Sequence, residues 1–397
     1  MRERAAQGLS PKMGRMDAED PSRPFSPRSL RKLAYAGLGW FLVIALALTG
    51  YFVVVVPLRA DILDNDLTLV YIGARIGLEH GWSHVYSLPL QHELFSQLRP
   101  HAPFNDGERF VSPPPFAWLV LPLVPFGAPA ATFAWLVLSV VALIAAWSIA
   151  APDAWPLRGL WLVGGLAWYP VLYGLSLAQP DLLIVFVAAA AWRLAESNRP
   201  YTAGVVLGLS AIKPQLLLLL PVVLLASGRW KIVAAWTASG AVLASASLLV
   251  IGGQGWSDYL SLLAEAQRVT NNRYFTLAYL LGPGSLAYAA QAAVAGAAVV
   301  LAYVNRHASH ARIFAFGIVA TALGTTYWHL QDYTVLLPAA WLFWRDSPPW
   351  AHRWLLLAVA IAGELAWPLT PLPILVCVAA WFVLLALPSR ARIAAAT

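Results

Sequence analysis

Charge is what this chain has least of. Of its 397 residues 19 are acidic and 26 basic, 11% in all, where soluble domains run at about a quarter. An ordinary water-soluble globule is thereby excluded. Cysteine is almost absent too. The single Cys377 sits in an apolar run, so no internal disulfide can form and compartment cannot be read from cysteine usage. The sequence also lacks a His/Cys/Asp/Glu cluster at metal-ligand spacing, a phosphate-cradling glycine loop and a nucleophile triad. No metal or cofactor is expected from it.

What remains is apolar. Hydrophobic residues make up 60% of the chain, and the class they imply is an all-α polytopic membrane protein. A span takes roughly 20 apolar residues, so the length accommodates about 12 transmembrane helices. The net charge of +7 could suit nucleic acid, but the basic residues stand at the ends of apolar runs. They read as orientation signals on a membrane, and no nucleic-acid partner is expected.

Residues 1–32 hold eight Lys/Arg and no apolar run, which reads as a disordered basic cytoplasmic tail. The run 33–56 is too long for a signal-peptide core and reads as a retained span. With the tail inside, residues 57–113 form a long first outer loop. Further spans are expected at 130–150, 157–176, 180–195, 201–212, 214–227, 230–251, 284–304, 310–326, 329–345, 350–367 and 371–388. The membrane domain then covers 33–388, with a second outer loop at 252–283 and a cytoplasmic tail at 389–397. The short piece 116–127, broken by Pro122 and Pro125, reads as re-entrant. Counting it as a crossing would move Arg193, Arg199, Arg229 and Lys231 outside, against the positive-inside tendency.

The outer loop opens with Asp61, Asp64 and Asp66, three carboxylates within six residues. An interfacial helix starting near Asp64–Asp66 sets them at the positive end of its dipole, with Tyr71 and Arg75 further along it. On the same side fall Gln179 and Asp181, Lys213 ahead of Pro214, the pair His329 and Asp332, and Glu364. Charged groups at membrane depth cost several kcal/mol and mark aqueous cavities or sites, so a one-sided set points to a site opening on the outer leaflet. Each also has a plainer reading. Asp61 and Asp64 suit solvated loop or cap positions, Gln179 and Asp181 can cap a helix, Lys213 can snorkel, and His329 can bond Asp332 at the interface. Glu364 reads as structural. Trp82, Trp168 and Trp328, at outer span ends, are candidates to stack on a sugar.

The motif order resembles glycosyltransferase family 87. It runs from Asp66-Leu-x-x-x-Tyr71-x-Gly-Ala, with Gly81 and Tyr86 following, to Phe110-Val-Ser-Pro-Pro. Then come Gln179-Pro-Asp181-Leu-Leu, Gly204-x-x-x-Gly208-Leu-x-x-Ile-Lys213-Pro214-Gln215 and His329-x-x-Asp332-Tyr333. The resemblance spans roughly 60–345. It departs where the family commonly has Tyr (Ser112), Gly (Ala178) and Asn (Asp181). It implies a GT-C-type membrane enzyme of a bacterial inner membrane, with both termini cytoplasmic and its active site on the outer face. The donor would be a polyprenyl-phosphate sugar, most commonly mannose, and the acceptor a lipid- or glycan-linked hydroxyl. By the same resemblance Asp66 is the general base. Lys213, with Arg75, offsets the phosphate, while His329, Asp332, Gln179, Asp181 and Tyr71 bind substrate. A polyprenyl-linked arabinofuranosyltransferase and a lipid-sugar transporter or flippase are the alternatives.

Overall fold

The computed structural model describes residues 27–105, 109–152 and 157–387. Most of the expected basic N-terminal tail, and the C-terminal tail at 389–397, lie outside them. Among the described residues there are helices and no strands.

Twelve comparable spans were expected; the helices are far less uniform. Among the described residues four are long and apolar enough to cross a membrane: Lys32–Ala60, Ala128–Ala150, Trp230–Arg268 and Ser285–Val304. The other apolar stretches are shorter or come in pieces. The stretch 157–176 is Leu157–Ala167 followed by Tyr169–Ser176. The break falls at Trp168, and Pro170 sits in the first turn of the second piece. Proline cannot donate to a preceding turn and pushes its predecessor out of the helical region. The same physics parts Pro200–Gly208 from Leu220–Ala226. Two 3-10 turns, Leu209–Ile212 and Pro214–Leu217, flank Lys213 there, and its own backbone is non-helical (φ −148°, ψ 71°).

The helices run between two ends. Asp181–Glu196 and Leu336–Arg345 each carry an acidic residue at or just before one end and a basic residue near the other. Helix Ala128–Ala150 starts at the first end, as its contacts with helix Asp66–Glu79 require, and finishes at the second, beside Arg345. The piece expected to be re-entrant is the helix Pro114–Val120 and the 3-10 turn Leu121–Phe126. Both touch helix Asp66–Glu79, and Tyr71 Oη donates to Val124 O at 3.2 Å. The piece therefore packs along this helix.

Residues 61–113 build a second small core on that end. Asn65 caps helix Asp66–Glu79, accepting from Thr68 N at 3.2 Å, while Thr68 Oγ1 donates to Leu63 O at 2.8 Å. Gly73 is bare because a Cβ there would come within 2.7 Å of the Phe110 ring. Phe110 in turn stacks on Tyr86 at 5.5 Å, whose hydroxyl donates to Ser112 O at 2.8 Å. The motif residues Tyr86, Phe110 and Ser112 thus brace this helix from the side, at Gly73.

The second outer segment, expected as a loop from 252, is helical to Arg268. Gly252 takes φ +63° and ψ −170°, a conformation open to a residue with no Cβ, so the first helix ends there, at the expected boundary, and a second one follows it. Beyond Gly252, Tyr259 lies 4.8 Å from the Tyr86 ring, and Glu265 pairs with Arg109.

Candidate functional site

Four short segments bring polar side chains together under the 61–113 unit. Helix Asp66–Glu79 offers Asp66 at its first position. The turn before helix Asp181–Glu196 offers Gln179, and that helix offers Asp181. The kink between the two 3-10 turns offers Lys213, and the 3-10 turn Gln331–Val335 offers Asp332. The Asp66 N–H donates to Leu177 O at 3.0 Å, tying the first segment to the second.

Lys213 is the hub. Its ammonium donates to Asp332 Oδ1 at 2.6 Å, Asp181 Oδ1 at 2.7 Å and Gln179 Oε1 at 2.8 Å. An ammonium has three N–H groups and no acceptor, so its donors are fully used. With Lys213 9% exposed, Asp181 1% and Asp332 0%, this is a buried ion cluster. Such a cluster survives only because each charge has a partner.

The arrangement also fixes two side-chain amides. Because Lys213 can only donate, the Gln179 oxygen must face it, and Gln179 Nε2 then donates to Asp66 Oδ2. Asn272 Nδ2 donates to Ala266 O at 2.8 Å, so its oxygen faces His329 Nε2 at 3.1 Å. His329 must carry its proton on Nε2 to make that bond. Its Nδ1 lies 3.7 Å from Asp332 Oδ2, which also accepts from the His329 backbone N–H at 2.8 Å.

The three carboxylates are not equivalent. Asp181 and Asp332 are sealed and committed to Lys213; Asp181 Oδ2 is buried with no partner among the described residues. Asp66 keeps partial contact with solvent. Its Oδ2 takes the Gln179 amide, and its other oxygen has no protein partner among the described residues. Burial raises its pKa above the ordinary carboxylate value, with Lys213 and then His329 pulling the other way. A raised pKa makes a stronger base, and the site therefore contains one carboxylate both basic and open.

Arg75 and Tyr71 do not join the cluster. Arg75 pairs with Glu79 at 2.7 Å, nine residues and about 13 Å of helix from Asp66. Tyr71 is buried against Val124. Asp61 and Asp64 clamp Arg99, each at 2.9 Å, outside the site. Of the tryptophans, Trp328 is buried at 0% exposure and Trp168 is wedged against Gly363. Trp82 lies against Gly77 and edge-on to Trp118.

Nothing in the residue pattern singles out Asn272 or two tyrosines that feel the Asp66 charge, Tyr173 and Tyr327. Asn272 is one polar residue in a polar stretch, and the tyrosines look like ordinary interface aromatics. Ala178 carried a signal in its departure from the family's Gly. Its φ is +48°, in the left-handed region, where a Cβ costs about 1–2 kcal/mol. That turn aims Gln179.

An all-helical, strongly apolar chain with an ionic cluster at one end of its bundle belongs among membrane enzymes and carriers. A family model narrows this. Glycosyltransferase family 87 matches residues 110–326, more than half of the chain, and the protein belongs to that family. It is thus a membrane glycosyltransferase. The matched segment is shorter than the expected 60–345; it includes Gln179, Asp181, Lys213 and Asn272. No curated protein and no solved structure matches the chain.

Proposed function

We propose that the protein transfers a hexose, mannose in the first instance, from a polyprenyl-phosphate donor to an acceptor hydroxyl, with inversion and with Asp66 as general base. The site would face the outer side of a bacterial inner membrane, with both termini cytoplasmic. One observation carries the assignment: among the clustered carboxylates, Asp66 alone has an oxygen left open and reachable.

In the proposed step the acceptor O–H proton passes to Asp66 as the acceptor oxygen bonds to the sugar C1. The C1–O bond to phosphate breaks, and polyprenyl phosphate leaves with the electron pair. Phosphate needs no proton to depart, so a single carboxylate suffices, unlike the flanking pair of a glycoside hydrolase. Lys213 has no N–H to spare for the donor. We assign it, with Gln179, the task of holding Asp66 in place, and assign the donor phosphate to the neighbourhood of His329, the remaining basic group at the cluster.

The test is in vitro transfer by the purified full-length protein with a panel of polyprenyl-phosphate sugars, the lipid products being read by mass spectrometry. Asp66→Ala should abolish product while Asp64→Ala retains it. Near wild-type transfer by Asp66→Ala would remove the assignment. A donor that is moved across vesicles but never loses its sugar would point to a lipid carrier instead.

A further inference from the structure

Beside the ionic cluster lies a second group of side chains that the proposed chemistry does not use. The rings of Tyr169 and Tyr173 stack at 6.0 Å with 8° between planes, and Tyr173 stacks on Trp367 at 5.7 Å and 30°. Trp367 is 58% exposed. Glu364, one helical turn before it, accepts from Tyr169 N at 3.0 Å through Oε1. Its other oxygen has no partner among the described residues. The group is tied to the ionic cluster by its own helix: a Cβ on Gly174, the residue after Tyr173, would lie 3.4 Å from Asp181 Oδ2, and Leu177 O, just past the helix end, accepts from Asp66 N at 3.0 Å. The second outer segment borders it through Tyr279, whose hydroxyl is 2.6 Å from Thr370 Oγ1.

We propose that Tyr173, Trp367 and Glu364 form a pyranose-binding subsite next to Asp66. This rests on the glycosyltransferase reading and adds to it a place for a sugar ring. Three independent features support it. Aromatic faces match the apolar C–H face of a pyranose, and Trp367 offers an open face on a ring already braced from behind by Tyr173. A carboxylate near the end of an apolar helix is costly unless it has a task, and Glu364 holds an oxygen ready to accept from sugar hydroxyls. The Tyr173 hydroxyl has no protein partner among the described residues, so it can bond the ring on the side nearer the base.

An aromatic at the membrane interface can instead be a plain anchor, and the same helix provides the control. At its other end Trp354 is 55% exposed and lies edge-on to Trp350 at 5.4 Å, with no carboxylate partner among the described residues. The experiment uses full-length protein in lipid nanodiscs. Saturation-transfer difference NMR would be run with methyl α-D-mannopyranoside, methyl α-D-glucopyranoside and methyl α-L-arabinofuranoside. Wild type, Trp354→Ala and Trp367→Phe should bind one of the two pyranosides. Trp367→Ala should weaken that binding about five- to tenfold, as the loss of an aromatic face predicts, and Glu364→Gln should weaken it severalfold. A thermal-shift measurement on each variant separates lost binding from lost folding. Equal losses in Trp354→Ala and Trp367→Ala, unchanged binding in Trp367→Ala, or no saturable pyranoside binding by wild type would each overturn the subsite. In transfer assays, a KM rise for the donor or for the acceptor in Trp367→Ala tells which sugar occupies it. If wild type binds pyranoside but transfers nothing, the subsite stands and the catalytic reading fails.

Discussion

Both ends of this bundle bury positive charge, and they do so in opposite ways. At the catalytic end one lysine is surrounded by side chains: two carboxylates and an amide within 2.8 Å. At the other end arginines are surrounded by backbone. Arg345 donates to Ala150 O and Ala151 O at 2.7 and 2.8 Å. Arg312 reaches Leu384 O, Leu385 O and Leu387 O, and pairs with Asp346 at 3.0 Å. Arg229 donates to Ala308 O at 2.7 Å. The carbonyls of Ala150, Ala151, Leu384, Leu385 and Leu387 close helices that have no further turn to donate to them, Ala308 O lies in the connection ahead of helix His310–Gly324, and the planar fork of arginine suits several acceptors at once. The basic residues that orient the chain in the sequence also cap its helices. The lysine end is built differently, with a compact charge held by side chains alone. One end closes helices with arginine, and the other gathers an ionic cluster around one lysine.

The sharpest way to break this contrast is Asp66→Asn. Transfer should fall about 10²- to 10⁴-fold, the usual contribution of a positioned base, with the fold retained. Wild type should lose rate as pH falls through the Asp66 pKa, which lies above the ordinary carboxylate value. Stability should move the other way. A folded-state pKa raised above the unfolded one means the native state binds protons more readily, so Asp66 lowers stability above that pKa and the penalty lifts as pH falls. Asp66→Asn should abolish both trends, as a pH–rate profile and a pH series of thermal unfolding would reveal. A rate that holds on the acid side would separate Asp66 from the proton transfer.

Next in size is Lys213→Met, which leaves Asp181 and Asp332 buried without their cation. It should cost about 3–5 kcal/mol of stability along with activity, and Lys213→Arg should not restore activity, because a flat guanidinium cannot replace the ammonium geometry. Chemical unfolding in detergent measures the first and the transfer assay the second. Arg345→Met tests the opposite end. About 2 kcal/mol should go with its charge-assisted bonds to the end of helix Ala128–Ala150, while kcat per folded molecule stays within twofold. A large kcat loss there would show that the two ends are coupled.

The smallest effect has the opposite sign. Ala178→Gly relieves a left-handed alanine and should stabilise the protein by up to about 1 kcal/mol. If transfer also slows, the strained turn serves to aim Gln179 rather than being merely tolerated.

Much of this was legible in the chain because it rests on composition and local chemistry. Apolar runs declared helices, prolines marked where they break, and the one-sided polar residues declared an end with a site. Asp66, Gln179, Asp181, Lys213 and Asp332 were all named from spacing, and the fold brings them together. Arg75 looked equally suitable. It lies on the same helix as Asp66, but a neighbouring glutamate claims it, a competition that spacing alone does not resolve. The helices differ in length from the expected spans for a related reason. A run of apolar residues gives its length in sequence, while its rise depends on whether it stays one helix, and the kinks at Trp168 and Lys213 shorten the path.

The sequence by itself determined the class of protein, its family and the residue types available to the site, since these follow from hydropathy, turn chemistry and motif order. Only the tertiary structure decided how the charges divide among partners. Three N–H groups on one lysine are shared among three acceptors from two segments distant in sequence. The carboxylate left with an open oxygen is Asp66, the one the motif order had singled out, and the fold supplies the reason: the other two are taken up by Lys213.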